Sequence, residues 1–230
     1  GDPRFFPEMV AYLDRQVGAM LRELDALGIA DDTIVIFVAD NGTDTGLRHP
    51  WGDGRMIAGG KGTMTDRGTR VPLLVRWPGR VPAGRVSDAI FSTLDFLPTF
   101  GRLAGFAPPA DRVIDGVDQT DLLLGRSRTG TRDHFHYFSQ NELHAVRVGP
   151  WKLFLPDRKV FYGYVKDRGT AGLELYNLEE DIGEKRNVAA AHPEVVERLF
   201  TFARSYPMPK DLPFAGIAVP APGAKGKKKG

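Results

Sequence analysis

Six consecutive apolar residues, Ile34-Val35-Ile36-Phe37-Val38-Ala39, stop abruptly at Asp40-Asn41-Gly42. An extended run that is apolar on both faces reads as a central parallel strand, because such strands are covered on both sides. The segment before it, residues 7–27, carries Val10, Leu13, Val17, Leu21, Leu24 and Leu27 at spacings of three and four, the signature of an amphipathic helix. Gly28 is its expected C-terminal stop, and Asp31, Asp32 and Thr33 form the turn into the strand. Helix, short turn and buried strand make half of an α/β unit, so the predicted class is α/β with helices flanking a sheet.

A second strand is expected at residues 71–77, with Pro72 near its start, where a missing N–H is tolerated. A second helix runs from about Asp95 to Gly105 and takes Pro98 in its first turn. From about residue 126 the pattern changes to short alternating segments at 134–139, 143–148, 151–155 and 173–177. These read as an antiparallel meander. Residues 193–204 form a further helix with Val196, Leu199, Phe200 and Ala203 inward, and Pro207, Pro209 and Pro213 end regular structure. The expected organisation is an α/β portion over 1–125, a small antiparallel subdomain with a helix over 126–214, and a disordered basic tail over 215–230.

Composition excludes several function classes. The chain contains no cysteine, which removes disulfides, zinc–thiolate sites and thiol nucleophiles. The formal charge is +2, but Lys225, Lys227, Lys228 and Lys229 supply +4 of it, leaving −2 for the rest. The basic balance thus belongs to a tail, and no nucleic-acid-binding face is expected. The six-residue apolar run is far short of the roughly 20 residues of a membrane span, so none is expected. No charged-then-apolar leader opens the sequence either.

Chemistry concentrates at Asp40-Asn41-Gly42. Ligands of open α/β sheets bind outside the carboxyl ends of strands, where this tripeptide falls. Asp offers a charged oxygen and Asn a neutral one, the hard donors that Ca²⁺ or Mg²⁺ prefers, and Gly lets the chain turn away. The same three residues also make a good plain turn after a strand. Asn41-Gly42-Thr43 is a formal glycosylation sequon, a reading at odds with a ligand at a strand end. Gly59-Gly60-Lys61-Gly62-Thr63 lacks the Lys-Ser/Thr pair of a phosphate loop, so the nucleotide reading fails. It leaves one ammonium on an uncrowded backbone, able to approach an oxyanion. His49, between the Asp-Asn-Gly turn and Trp51, either lines a substrate pocket or is a plain loop residue. His134 and His136 share one strand face but have no third ligand of suitable spacing, so they read as an ordinary strand face.

Taken together, Asp40-Asn41-Gly42, Gly60-Lys61 and Arg70-Val71-Pro72 resemble the sulfatase family of the alkaline-phosphatase superfamily. Val75-Arg76-Trp77-Pro78-Gly79, Leu94-Asp95-Phe96-Leu97-Pro98-Thr99, Val148-Gly149-Pro150-Trp151-Lys152-Leu153 and Glu174-Leu175-Tyr176-Asn177-Leu178-Glu179 extend the resemblance in the family's order to about residue 204. It implies part of a sulfatase-like sheet flanked by helices, and hydrolysis of an aryl or carbohydrate sulfate ester. By this resemblance Asp40 and Asn41 bind the divalent cation (Ca²⁺ or Mg²⁺) and Lys61 contacts the sulfate as a catalytic group; His49 is a substrate-pocket candidate by its position alone. The family pattern has an acidic residue and two glycines before Arg-Val-Pro. Here Asp66-Arg67-Gly68-Thr69 stands there, so the resemblance assigns Asp66 no catalytic role.

The resemblance also implies a formylglycine nucleophile, made from Cys or Ser followed by x-Pro-x-Arg. The only Ser-x-Pro, Ser205-Tyr206-Pro207-Met208-Pro209, has Pro where Arg is needed. The chain therefore reads as the C-terminal portion of a sulfatase, inactive alone, with the missing N-terminal part as its partner. A periplasmic or extracellular location follows from the family. The alternatives are a phosphomonoesterase or phosphodiesterase of the same superfamily, or a non-catalytic binding fragment.

Overall fold

The computed structural model describes residues 3–44, 50, 54–57, 59–139, 142–156 and 172–207. The tail 215–230, His49 and Pro209 and Pro213 lie outside the described residues. The chain divides into two compact units that do not follow chain order: Gly1–Asp40 with Val71–Asp133, and Asn41–Arg70 with His134–Gly230.

The first unit begins with helix α1, Phe6–Ala26. None of its residues is buried, and Met9, Val10, Leu13 and Met20 of its apolar stripe are exposed. Strand β1, Val35–Val38, pairs with β2, Leu73–Arg76. The pairing is antiparallel, with Val35 opposite Arg76 and Val38 opposite Leu73, which corrects the expected parallel arrangement. β1 is half-buried throughout, with β2 as its one neighbour among the described residues. An all-apolar run reports that both faces demand cover; it says nothing of the direction of the neighbouring strand. The Trp77 indole N–H donates to the Asp31 carbonyl at 2.8 Å, fastening the end of β2 to the turn before β1.

Helix α3, Phe96–Ala104, ends as expected at Gly105, whose φ of 80° is left-handed. The 3₁₀ turn Thr93–Asp95 that leads into it carries a capping box: Ser92 Oγ accepts from the Leu94 amide, and Asp95 Oδ2 accepts from the Ser92 amide. Asp95 is fully buried and also takes the Arg132 guanidinium and the Val117 amide. These contacts close the loop that runs through the short helix α4, Thr120–Leu123.

The second unit is the expected meander. Strands β3, His134–Ser139, β4, Glu142–Val148, β5, Trp151–Phe154, and β6, Glu174–Asn177, form an antiparallel sheet in chain order. Strand residues alternate between faces, except at a register shift in β4 where His144 is an extra residue between Leu143, opposite Phe138, and Ala145, opposite Tyr137. On one face Leu143, Val146, Leu153 and Leu175 pack with Val195, Leu199, Phe200 and Ala203 of helix α5, Pro193–Ser205. Val195 is buried, while Val196, expected inward, is partly buried at the margin. On the other face Tyr137, Ala145, Phe154 and Tyr176 pack with Met64, which belongs to the Asn41–Arg70 segment. The sheet is thus covered by α5 on one side and by the segment bearing Lys61 on the other. No described helix is long and apolar enough to cross a membrane.

Candidate active site

Asp40 and Asn41 follow β1 as the sequence predicts, with Asp40 exposed and Asn41 half-buried. Immediately beyond them the chain interlocks with the Lys61 segment. The Gly42 amide donates to the Gly68 carbonyl at 2.9 Å, and the Lys61 amide donates to the Thr43 carbonyl at 2.8 Å. The approach is close enough to require glycine. A Cβ on Gly42 would lie 1.8 Å from the Arg67 carbonyl oxygen, and one on Gly68 would lie 2.1 Å from that of Thr63. Gly42 therefore serves close packing of two backbones, where its sequence suggested freedom to turn.

The loop around Lys61 is ordered by its own hydrogen bonds. Thr63 Oγ1 donates to the Gly60 carbonyl at 2.8 Å and pairs with Thr65 Oγ1. Gly62, next to Lys61, has a φ of 86°, which a side chain would strain. The ammonium-bearing residue itself is exposed. The result is a solvent-facing lysine on a backbone fixed to the residues that directly follow Asn41.

Behind this loop lies a charge cluster that sequence reading missed. Helix α2, Asp66–Thr69, starts at Asp66, which is 2% exposed. Lys152 of β5 is 0% exposed, with Nζ 2.9 Å from Glu184 Oε1 and 3.4 Å from Asp66 Oδ1. The ammonium also lies over the Tyr137 ring at 4.5 Å and the Phe154 ring at 5.0 Å. The Asp66 amide donates to Glu184 Oε2 at 3.0 Å, and Arg70 Nε donates to Asp66 Oδ2 at 2.8 Å.

Burial pushes the Asp66 carboxyl up, but Lys152 and Arg70 outweigh it and hold the group below its ordinary value. Burial also dominates for Glu184. Lys152 offsets only part of it, the Asp66 charge adds to it, and the carboxyl is raised. Burial pulls the Lys152 ammonium down, yet Tyr137, Glu184 and Asp66 together leave it raised and charged. Glu184 is also the one described non-glycine residue at positive φ, 46°. Such a conformation costs roughly 1–2 kcal/mol and persists where surroundings enforce it. The available signal was weak: Lys152 sits between Trp151 and Leu153 and looks like any outward-facing residue of a strand.

The oxygens of Asp40 and Asn41 suit a hard cation in type. In number they supply two of the about six to eight that Ca²⁺ takes. Among the described residues no group of three or more His, Asp or Glu side chains is placed to hold a metal.

Comparison with known proteins bears on this arrangement. The sulfatase family model matches residues 7–106, and a model described as the C-terminal region of N-sulphoglucosamine sulphohydrolase matches residues 59–201. Human arylsulfatase A is 34% identical over 84% of this chain and 41% of its own length. An N-acetylgalactosamine-6-O-sulfatase of Bacteroides thetaiotaomicron is 33% identical over 84% of this chain and 40% of its own length. A crystal structure of a Pseudoalteromonas sulfatase superposes with a TM-score of 0.70 at 26% identity, covering 86% of this chain and 42% of that one. The chain thus spans about 40% of the length of these two curated relatives.

Proposed function

Because the chain belongs to the sulfatase family, we propose that it forms the anion-facing part of a sulfuric ester hydrolase. The observation that carries this reading is the interlock of residues 42–43 with 61–68, which ties the backbone at Asn41 to that at Lys61. Asp40 and Asn41 would hold a divalent cation, Ca²⁺ or Mg²⁺, through their side-chain oxygens. The bound ion supplies polarisation of the sulfate oxygens. Lys61 is exposed and anchored through its backbone, so its ammonium would be available to contact the sulfate as negative charge builds on the oxygens. His49, which lies outside the described residues, is a further substrate-contact candidate by its sequence position alone.

The formylglycine has no candidate here, since the chain has no cysteine and no serine in the x-Pro-x-Arg context. The nucleophile and the remaining metal ligands then come from further sequence, as the partial coverage of relatives suggests. Sulfated sugars are the favoured substrate class. One relative, with a TM-score of 0.63 at 26% identity, was solved with its substrate D-glucosamine-2-N,6-O-disulfate. The test is turnover of a chromogenic aryl sulfate and of a sulfated glucosamine in excess Ca²⁺. The 230-residue chain is compared with a version restored to the length of its relatives. Only the longer protein should turn over; turnover by the short chain, abolished by Asp40→Ala, would refute the reading.

A further inference from the structure

Strand β5 places Lys152 on the sheet face opposite α5, between carboxylates from two distant parts of the chain. Burying an ammonium is costly, and an apolar residue of similar length would pack against Tyr137 and Phe154 without that cost. What the charges add is direction. Asp66 is gripped at three points: Oδ1 by Lys152, Oδ2 by Arg70, and its amide by Glu184. Two residues along, the Gly68 carbonyl receives the Gly42 amide, and Gly68 leaves no room for a side chain against Thr63 and Gly60. The Lys61 amide then reaches Thr43. An unbroken set of polar contacts and tight backbone packing therefore runs from the buried sheet face to the exposed lysine. The strained backbone of Glu184 lies at its root.

We infer that Lys152 is a positioning residue, which with Asp66 and Glu184 locks residues 59–70 onto the C-terminal sheet and so fixes where Lys61 presents its ammonium to an oxyanion. The positioning stands on the contacts alone; its consequence for sulfate rests on the reading of Lys61 given above. A sheet carrying no proposed catalytic side chain thereby sets the anion affinity of the site.

The experiment uses the 230-residue chain with Lys152→Met, Asp66→Asn and the conservative Asp66→Glu. Hydrogen exchange by mass spectrometry compares peptides containing Gly42, Lys61 and Gly68 with peptides from β4, β5 and α5. In parallel, sodium sulfate is titrated for its protection of Lys61 against acetylation by acetic anhydride. Lys152→Met and Asp66→Asn should speed exchange at the first set about 10-fold or more, with changes under about 3-fold in the sheet and α5, because only the local opening changes. The sulfate concentration for half-protection should rise about 10-fold in both variants and return towards wild type in Asp66→Glu. Should Lys152→Met fail to fold, Asp66→Asn decides alone. Exchange unchanged at Lys61, or accelerated equally throughout the sheet, would overturn the inference and leave Lys152 an ordinary core residue. A wild-type Lys61 indifferent to sulfate, with the local exchange pattern intact, supports the positioning and refutes the sulfate contact.

Discussion

The amide of Gly42 lies 2.9 Å from the carbonyl oxygen of Gly68, and neither residue has space for a methyl group. Gly42→Ala and Gly68→Ala should each destabilise the second unit by about 1–3 kcal/mol or more, since backbone must move to admit the Cβ. Urea unfolding midpoints give the measurement. Gly79→Ala is the control, because a Cβ there meets nothing within 4 Å. Its expected cost is about 1–2 kcal/mol, from positive φ alone.

The buried cluster predicts a pH dependence with two limbs. The folded-state pKa of Asp66 lies below its ordinary 3.8, so its stabilisation is present above that pH and is lost as pH falls through the depressed value. Lys152 is raised above 10.5, so its contribution is complete below that pH and is lost as pH rises through the raised value. Glu184 is raised above 4.5 and acts in the opposite sense to Asp66, costing stability as pH rises through its folded value. Denaturation of wild type and Asp66→Asn from about pH 3 to about pH 11 checks this. The gap between them should be widest near neutrality and close on the acid limb. A gap independent of pH contradicts the assignment.

Helix α1 exposes Met9, Val10, Tyr12, Leu13 and Met20 and buries none of its residues. Apolar surface of this kind promotes association. The 230-residue chain should bind a hydrophobic dye and self-associate in light scattering. Leu13→Glu with Met20→Glu should reduce both signals while leaving the unfolding midpoint within about 0.5 kcal/mol, because neither side chain is in a core.

Local periodicity made much of this fold legible. The meander β3–β6 and helix α5 follow from alternation and from three-and-four spacing, both of which are properties of neighbouring residues. Gly28 and Gly105 marked the ends of α1 and α3 for the same reason. What failed was long-range. The apolar run of β1 announced burial but not an antiparallel partner. Gly42 read as a turn because the backbone it packs against lies 26 residues away at Gly68. Lys152, Asp66 and Glu184 sit in a strand, at the start of a short helix and just after a turn, with no pattern linking them, and only folding brings the three charges together. Asp40, Asn41 and Lys61 are proposed through their resemblance to a family motif, since the residues alone also fit a turn and a loop lysine.

The most direct test of the account is kinetic, in the protein restored to the length of its relatives and saturated with Ca²⁺. Lys61→Met and Asp40→Ala are compared with wild type for kcat/KM on a chromogenic aryl sulfate, with chelator-treated enzyme alongside. Each substitution should lower kcat/KM about a hundredfold or more, as expected for loss of a group that meets charge developing on the sulfate oxygens. Chelation should abolish turnover and added Ca²⁺ or Mg²⁺ should restore it. If both variants keep wild-type kcat/KM, the sulfate and metal roles assigned to this chain are wrong.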